Sequence, residues 1–354
     1  MTLENLGWRE SHARFYKTLD PSLQPVRIVR RDKHHYTVFD GEEYRPGMVL
    51  GKLLHSSDAS DLPAVGDWVA AAKMEDEFII HTVIPRVTAF ERKVVGNITA
   101  QQVIAANIDV AFIVCGLDND FNLRRIERYL VQVEASGAKP VVVLNKADVH
   151  PDVSGAIDKV RKLSEGIGVV AMSAEADENV DVLRDFLGVG DTAVFIGSSG
   201  VGKSTIVNRL LDDNRFVTGA VREDDSRGRH TTSFRELVVL PGGGVVIDTP
   251  GLRELQLWTD EESLHSVFSD IEEFARDCRF RDCSHSGEPD CGVAAAIEDG
   301  LLTLDRKASY DKLRREIAYL NRRQDEVAAQ QAKKREKDFG KMVKDMKRNN
   351  PKYK

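Results

Sequence analysis

Residues 140–148 read PVVVLNKAD, and residues 197–204 read GSSGVGKS. The first closes an apolar run of the kind that forms a buried strand, and its Asn-Lys-x-Asp ending is suited to reading guanine. The Asp148 carboxylate can accept hydrogen bonds from guanine N1–H and the 2-amino group. Adenine offers neither, so it would leave the carboxylate unmatched. Asn145 and Lys146 brace that loop, and the lysine stem suits the face of a ring. Another short strand, GIGVVAM, leads into SAE at 173–175, where Ser173 and the Ala174 amide are candidates for guanine O6.

GSSGVGKS fits Gly-x4-Gly-Lys-Ser and lies between a strand, TAVFI, and a helix, KSTIVNRLL. Gly197, Gly200 and Gly202 allow a backbone turn tight enough for successive amides to surround a phosphate at a helix N-terminus. Lys203 supplies a cation to the β- and γ-phosphates, and the Ser204 hydroxyl is a magnesium ligand. The candidate nucleotide contacts in this loop are Gly197, Ser198, Ser199, Gly200, Val201, Gly202, Lys203, Ser204 and Thr205. VVIDTPG at 245–251 follows, with Asp248 placed to reach Mg2+ through water and the Gly251 amide to reach a γ-phosphate. Between them, GRHTTS at 228–233 offers Thr231, or Thr232, as a magnesium ligand that senses the γ-phosphate.

The base reader thus precedes the phosphate loop. A parallel sheet presents its functional loops along one edge, so cutting the chain elsewhere and joining the old ends preserves the site. With this order the chain resembles the circularly permuted GTPases, and within them the small-ribosomal-subunit biogenesis type (RsgA/YjeQ family). The resemblance covers most of the chain. It implies GTP and GDP as ligands with Mg2+, the 30S subunit and its 16S rRNA as partners, and release upon hydrolysis. After Asp-x-x-Gly, where Ras-like proteins carry a water-orienting Gln, this chain has Leu252. The resemblance assigns that role to His230, whose imidazole can accept a hydrogen bond from water. Slow hydrolysis, accelerated when a partner orders this loop, is the expectation.

Outward from the motifs, residues 25–95 read as five short strands: VRIVRR, HYTVFD, GMVLGKLL, DWVAAA and FIIHTVI. Such a run predicts an OB-like β-barrel, and VRIVRRDKHHY within it suits RNA. Residues 96–260 alternate strands and helices, as an α/β GTPase domain does. Residues 261–325 turn helical around CRFRDCSHSGEPDC. There Cys278, Cys283, His285 and Cys291 make a closed three-thiolate, one-imidazole set for one structural zinc. Residues 1–24 read as a loosely patterned lead-in, and 326–354 as a basic helical tail. From Gln330 onward ten Lys/Arg face three Asp/Glu, although the whole chain of 354 residues carries −7. That tail could touch phosphates.

No apolar run approaches a membrane span and no signal-peptide layout opens the chain, so a cytoplasmic protein is expected. No dimerisation stripe is evident, which favours a monomer. Cys115, in AFIVCGL, reads as a buried thiol. Two other readings compete. One is a GTP-gated RNA-binding module, or translation-regulating GTPase, whose hydrolysis is incidental; the other is a P-loop kinase or ATPase, for which Asp148 would be irrelevant.

Overall fold

The computed structural model describes residues 2–32, 35–51, 53, 60–93, 101–118, 120–213, 235–248, 259–322 and 326. Its centre is a sheet whose strands are mostly apolar. β8 (Val110–Gly116), β9 (Lys139–Asn145), β10 (Gly168–Ala171), β11 (Thr192–Ile196) and β13 (Val245–Asp248) run parallel in the order β10-β9-β8-β11-β13. Every residue of β8 and β11 is buried, as strands covered on both faces require. Ile113, Cys115, Val142 and Leu144 point to one face, under α2 (Leu123–Ser136) and α3 (Val153–Arg161). Phe112, Val114, Val141 and Val143 point to the other, under α4 (Lys203–Leu211). α2 begins at an Asn122 cap that accepts from the Arg125 amide and ends at Gly137 with φ 79°. β12 (Arg235–Val239), unforeseen in the sequence, runs antiparallel beyond β13.

All five expected barrel strands form: β1 (Gln24–Asp32), β2 (His35–Phe39), β3 (Tyr44–Val49), β4 (Trp68–Lys73) and β5 (Phe78–Val83). They close in the order β1-β2-β3-β5-β4-β1, with β3 and β5 parallel and the other pairs antiparallel. Val26, Ile28, Val38, Phe78 and Ile80 fill the interior. A register shift between Ile28 and Arg30 bends β1, and beyond it Arg30 pairs with Glu236 of β12. One strand therefore belongs to both the barrel and the central sheet, and β12 is left with no open edge along that stretch.

Two parts differ from the sequence reading. The expected barrel boundary near residue 95 falls inside a hairpin, β6 (Ala89–Lys93) with β7 (Gln101–Ala106), which forms a sheet of its own. The expected loose lead-in contains α1 (Glu10–Tyr16) and is fastened at both sides. Trp8 packs edge-on against Trp68 of the barrel, and Arg9 reaches Asp109 and Asp191 at 2.6 Å each. Beside this contact Arg27 is fully buried. Its guanidinium donates to the Leu6 carbonyl and, at 2.8 Å, to Thr192 Oγ1. Neither feature has a periodic signature, because aromatic and charged residues near a terminus ordinarily read as solvated.

The remaining helices, α5 (Glu261–Val267), α6 (Ser269–Ala275), α7 (Gly292–Glu298) and α8 (304–322), cover α2 from outside. Among the described residues no helix is long and apolar enough to cross a membrane.

Candidate functional site

Parallel strands deliver their loops to one edge, and the motifs meet there. β11 opens into the phosphate loop, β9 into Asn145–Asp148, β10 into Ser173–Ala174, and β13 ends at Asp248. Gly197 and Gly202 are obligatory. At φ 143° a Cβ on Gly197 would strike the Val114 carbonyl, and at φ 97° one on Gly202 would strike the Asn145 amide. Gly200 has φ 78° with open space around it, so its demand is on the backbone alone. The Lys203 amine donates to the Gly197 carbonyl at 2.7 Å and also to that of Ser198.

Asn145 joins three loops. Its Nδ2 donates to the Val201 carbonyl at 2.8 Å, and its Oδ1 accepts from the Ala174 amide at 2.9 Å. It is 3% exposed, so both bonds are shielded from water. The Ala174 amide, expected to meet guanine O6, donates to Asn145 Oδ1 in this structure. Ser173 is buried and turns the loop, its Oγ accepting from the Ala176 amide at 3.2 Å. Arg209 of α4 reaches the Ala174 carbonyl at 3.3 Å.

Lys146 sits in the left-handed region at φ 62°, and its amine lies 2.5 Å from Asp118 Oδ2. That hydrogen bond is the first cause holding the Asp118 carboxyl below the usual carboxylate range. Asp148 is exposed at the mouth of this loop. The Ser198 hydroxyl accepts from Arg125 Nη1 at 2.6 Å. Asp118, Asp120 and Arg125 were missed in the sequence, although GLDND directly follows β8 at the edge that carries every other motif. His230, Thr231, Thr232 and Gly251 lie outside the described residues, as does nearly all of the basic tail.

Behind α2, Cys278, Cys283, His285 and Cys291 converge, their ligand atoms all within 4.8 Å of one another. His285 Nδ1 lies 3.5 Å from both the Cys278 and the Cys291 sulfur, and those sulfurs are 3.9 Å apart. Tetrahedral zinc, with Zn–S about 2.3 Å and Zn–N about 2.0–2.1 Å, demands edges of about 3.5–3.8 Å, so the cluster fits it. Glu288 holds the loop by accepting from the amides of Ser284 at 2.9 Å and Ser286 at 2.7 Å. Cys115 stands apart, buried, its thiol pushed up to about 11 by that burial.

A family model described as RsgA GTPase matches residues 83–258. A curated relative from Opitutus terrae, named small ribosomal subunit biogenesis GTPase RsgA, is 46% identical over 342 residues, 93% of each chain. The chain belongs to the RsgA family of GTPases.

A second relative of the same name, from Syntrophotalea carbinolica, is 44% identical over 95% of each chain. The crystal structure of YjeQ from Thermotoga maritima superposes with a TM-score of 0.62 at 25% identity, covering 84% of this chain and 99% of that one. YloQ, described as a circularly permuted GTPase, superposes with a TM-score of 0.58 at 26% identity, covering 84% and 95%. A model described as 50S ribosome-binding GTPase matches only residues 192–327, starting at β11. In a permuted chain that is where the conventional motif order begins. As an RsgA-family member the protein is a GTPase.

Proposed function

We propose that this GTPase is a late assembly factor of the 30S ribosomal subunit. It binds 16S rRNA in its GTP state and leaves upon hydrolysis. The observation that carries the reading is a single chain holding a closed OB-type barrel, a permuted GTPase sheet and a Cys3His cluster, with 46% identity over 93% of a relative named for small-subunit biogenesis. The barrel offers an RNA surface, and strand β1, shared with β12, ties that surface to the nucleotide domain.

In this reading Asp148 reads guanine, Asn145 locks the three loops, and the 197–205 loop holds the phosphates. Ser204 and Thr231, or Thr232, hold Mg2+, which when bound neutralises charge between the β- and γ-phosphates. His230 orients the attacking water, and Gly251 contacts the γ-phosphate. Cys278, Cys283, His285 and Cys291 hold one structural Zn2+. The factor acts as a monomer in the cytoplasm, where subunits are assembled.

Co-sedimentation with 30S, 50S and 70S particles, in GDP and in a non-hydrolysable GTP analogue, tests this. Retention on 30S alone, and only with the triphosphate analogue, is expected. Binding indifferent to the nucleotide, or a preference for 50S, would sink it. Binding without stimulated turnover would favour the GTP-gated module.

A further inference from the structure

The Ser198 side chain is engaged by α2. Arg125 Nη1 donates to its hydroxyl at 2.6 Å. Arg125 is itself fixed by an ion pair with Asp120, in the loop after β8. The Ser198 carbonyl is meanwhile held from the other side by the Lys203 amine, which also bonds the Gly197 carbonyl. Ser198 is thus gripped twice, through its backbone by the phosphate-binding lysine and through its side chain by a neighbouring helix.

These two grips differ once a nucleotide enters. A phosphate at the loop competes for the Lys203 amine, because a dianionic oxygen is a stronger acceptor than a carbonyl. The lysine then gives up the Gly197 and Ser198 carbonyls. The side-chain grip on Ser198 remains, together with the Asn145 bond to the Val201 carbonyl, to keep the loop in place with its amides aimed at the phosphates. Preorganised donors of this kind need no rearrangement on binding, which is where their affinity comes from.

We infer that Arg125 is a positioning residue of the phosphate site, acting through the Ser198 hydroxyl to hold the loop in its phosphate-binding shape while Lys203 is engaged by the nucleotide. This rests on the phosphate-loop reading of residues 197–204. Asp120 fixes the guanidinium that makes the bond.

The test uses the full-length protein and compares GDP with GMP, which lacks the β-phosphate at the centre of the loop. Arg125→Gln and Ser198→Ala should each weaken GDP by about 10-fold, the size of one charge-assisted hydrogen bond, and leave GMP unchanged. The double variant should be no worse than either single one, and Arg125→Lys should recover part of the loss. GDP affinity that is unchanged, equal losses for GDP and GMP, or additive losses would overturn the inference. Should Arg125→Gln melt early, Ser198→Ala carries the comparison alone. Lys203→Ala is the control: if it too spares GDP, the phosphate-loop reading fails, and if only Lys203→Ala loses GDP, this inference alone fails.

Discussion

Arg306 of α8 lies 2.9 Å from Glu127 of α2, across 179 residues of sequence, and both side chains are buried. Its other nitrogens reach Asp270 Oδ1 and Oδ2 at 3.0 and 3.1 Å, and the Leu163 and Val267 carbonyls at 3.1 and 2.9 Å. Its guanidinium also lies over the Phe268 ring, 4.1 Å from the centroid. One side chain therefore joins α2, the end of α3, α5, α6 and α8.

Arg306→Ala should then destabilise the chain by about 3–5 kcal/mol, because it leaves the Glu127 carboxylate buried and unpaired. Denaturant unfolding measures this. Arg306→Met with Glu127→Gln should regain part of the loss, since the stranded charge is gone. A loss below about 1 kcal/mol, the level of a surface pair, would contradict the account.

The two ends of the base-reading loop should respond differently to substitution. Asp148→Asn replaces an acceptor with a group that can also donate, so preference should move from guanine to xanthine nucleotides with the fold intact. Asn145→Ala removes the bonds to Val201 and Ala174 and should weaken every nucleotide. Competition binding with GDP, XDP and ADP separates the two. A nucleotide preference left unchanged by Asp148→Asn would instead favour the ATPase reading.

His12 makes the fastening of the N-terminal segment sensitive to acid. Burial holds its imidazole below the ordinary pKa, and the charges of Arg27 and Arg9 press the same way, against support from Asn107. A base whose folded pKa is depressed contributes stability that is present above the unfolded value, about 6.5, and is lost as pH falls toward the folded one. Thermal melts should fall on acidification below about pH 6.5, and more shallowly in His12→Gln. Equal slopes in both proteins would remove His12 from the explanation.

Metal should be structural. Metal analysis should find one zinc per chain, and Cys283→Ser should release it and lower the melting temperature. GDP affinity should stay near that of the parent, because none of the four cluster residues belongs to the nucleotide-binding loops. Loss of zinc with an unchanged melt would show that the cluster does not hold the C-terminal helices.

Much of the site was legible because its signals are local. The glycines of GSSGVGKS, the NKAD ending and the cysteine spacing each state a chemistry within a few residues. Strand alternation then placed the first two at the ends of parallel strands. Ser198 shows the limit: the motif fixed its backbone beside a phosphate, but nothing in it said that its hydroxyl would face Arg125, 73 residues earlier. Nor does the Ser-Ala motif say that the Ala174 amide donates to Asn145, 29 residues away.

The sequence by itself determined the family, the permuted order, the five barrel strands and the Cys3His cluster, since all of these rest on short-range pattern and side-chain chemistry. Only the tertiary structure decided how the parts are joined. β1 bends out of the barrel to pair with β12, Arg27 is buried against Thr192, and Arg306 is buried against Glu127. Each of these pairs spans more than 160 residues. An arginine in a charged helix has the same sequence signature whether it ends in water or in a buried ion pair, and only packing across the chain distinguishes them.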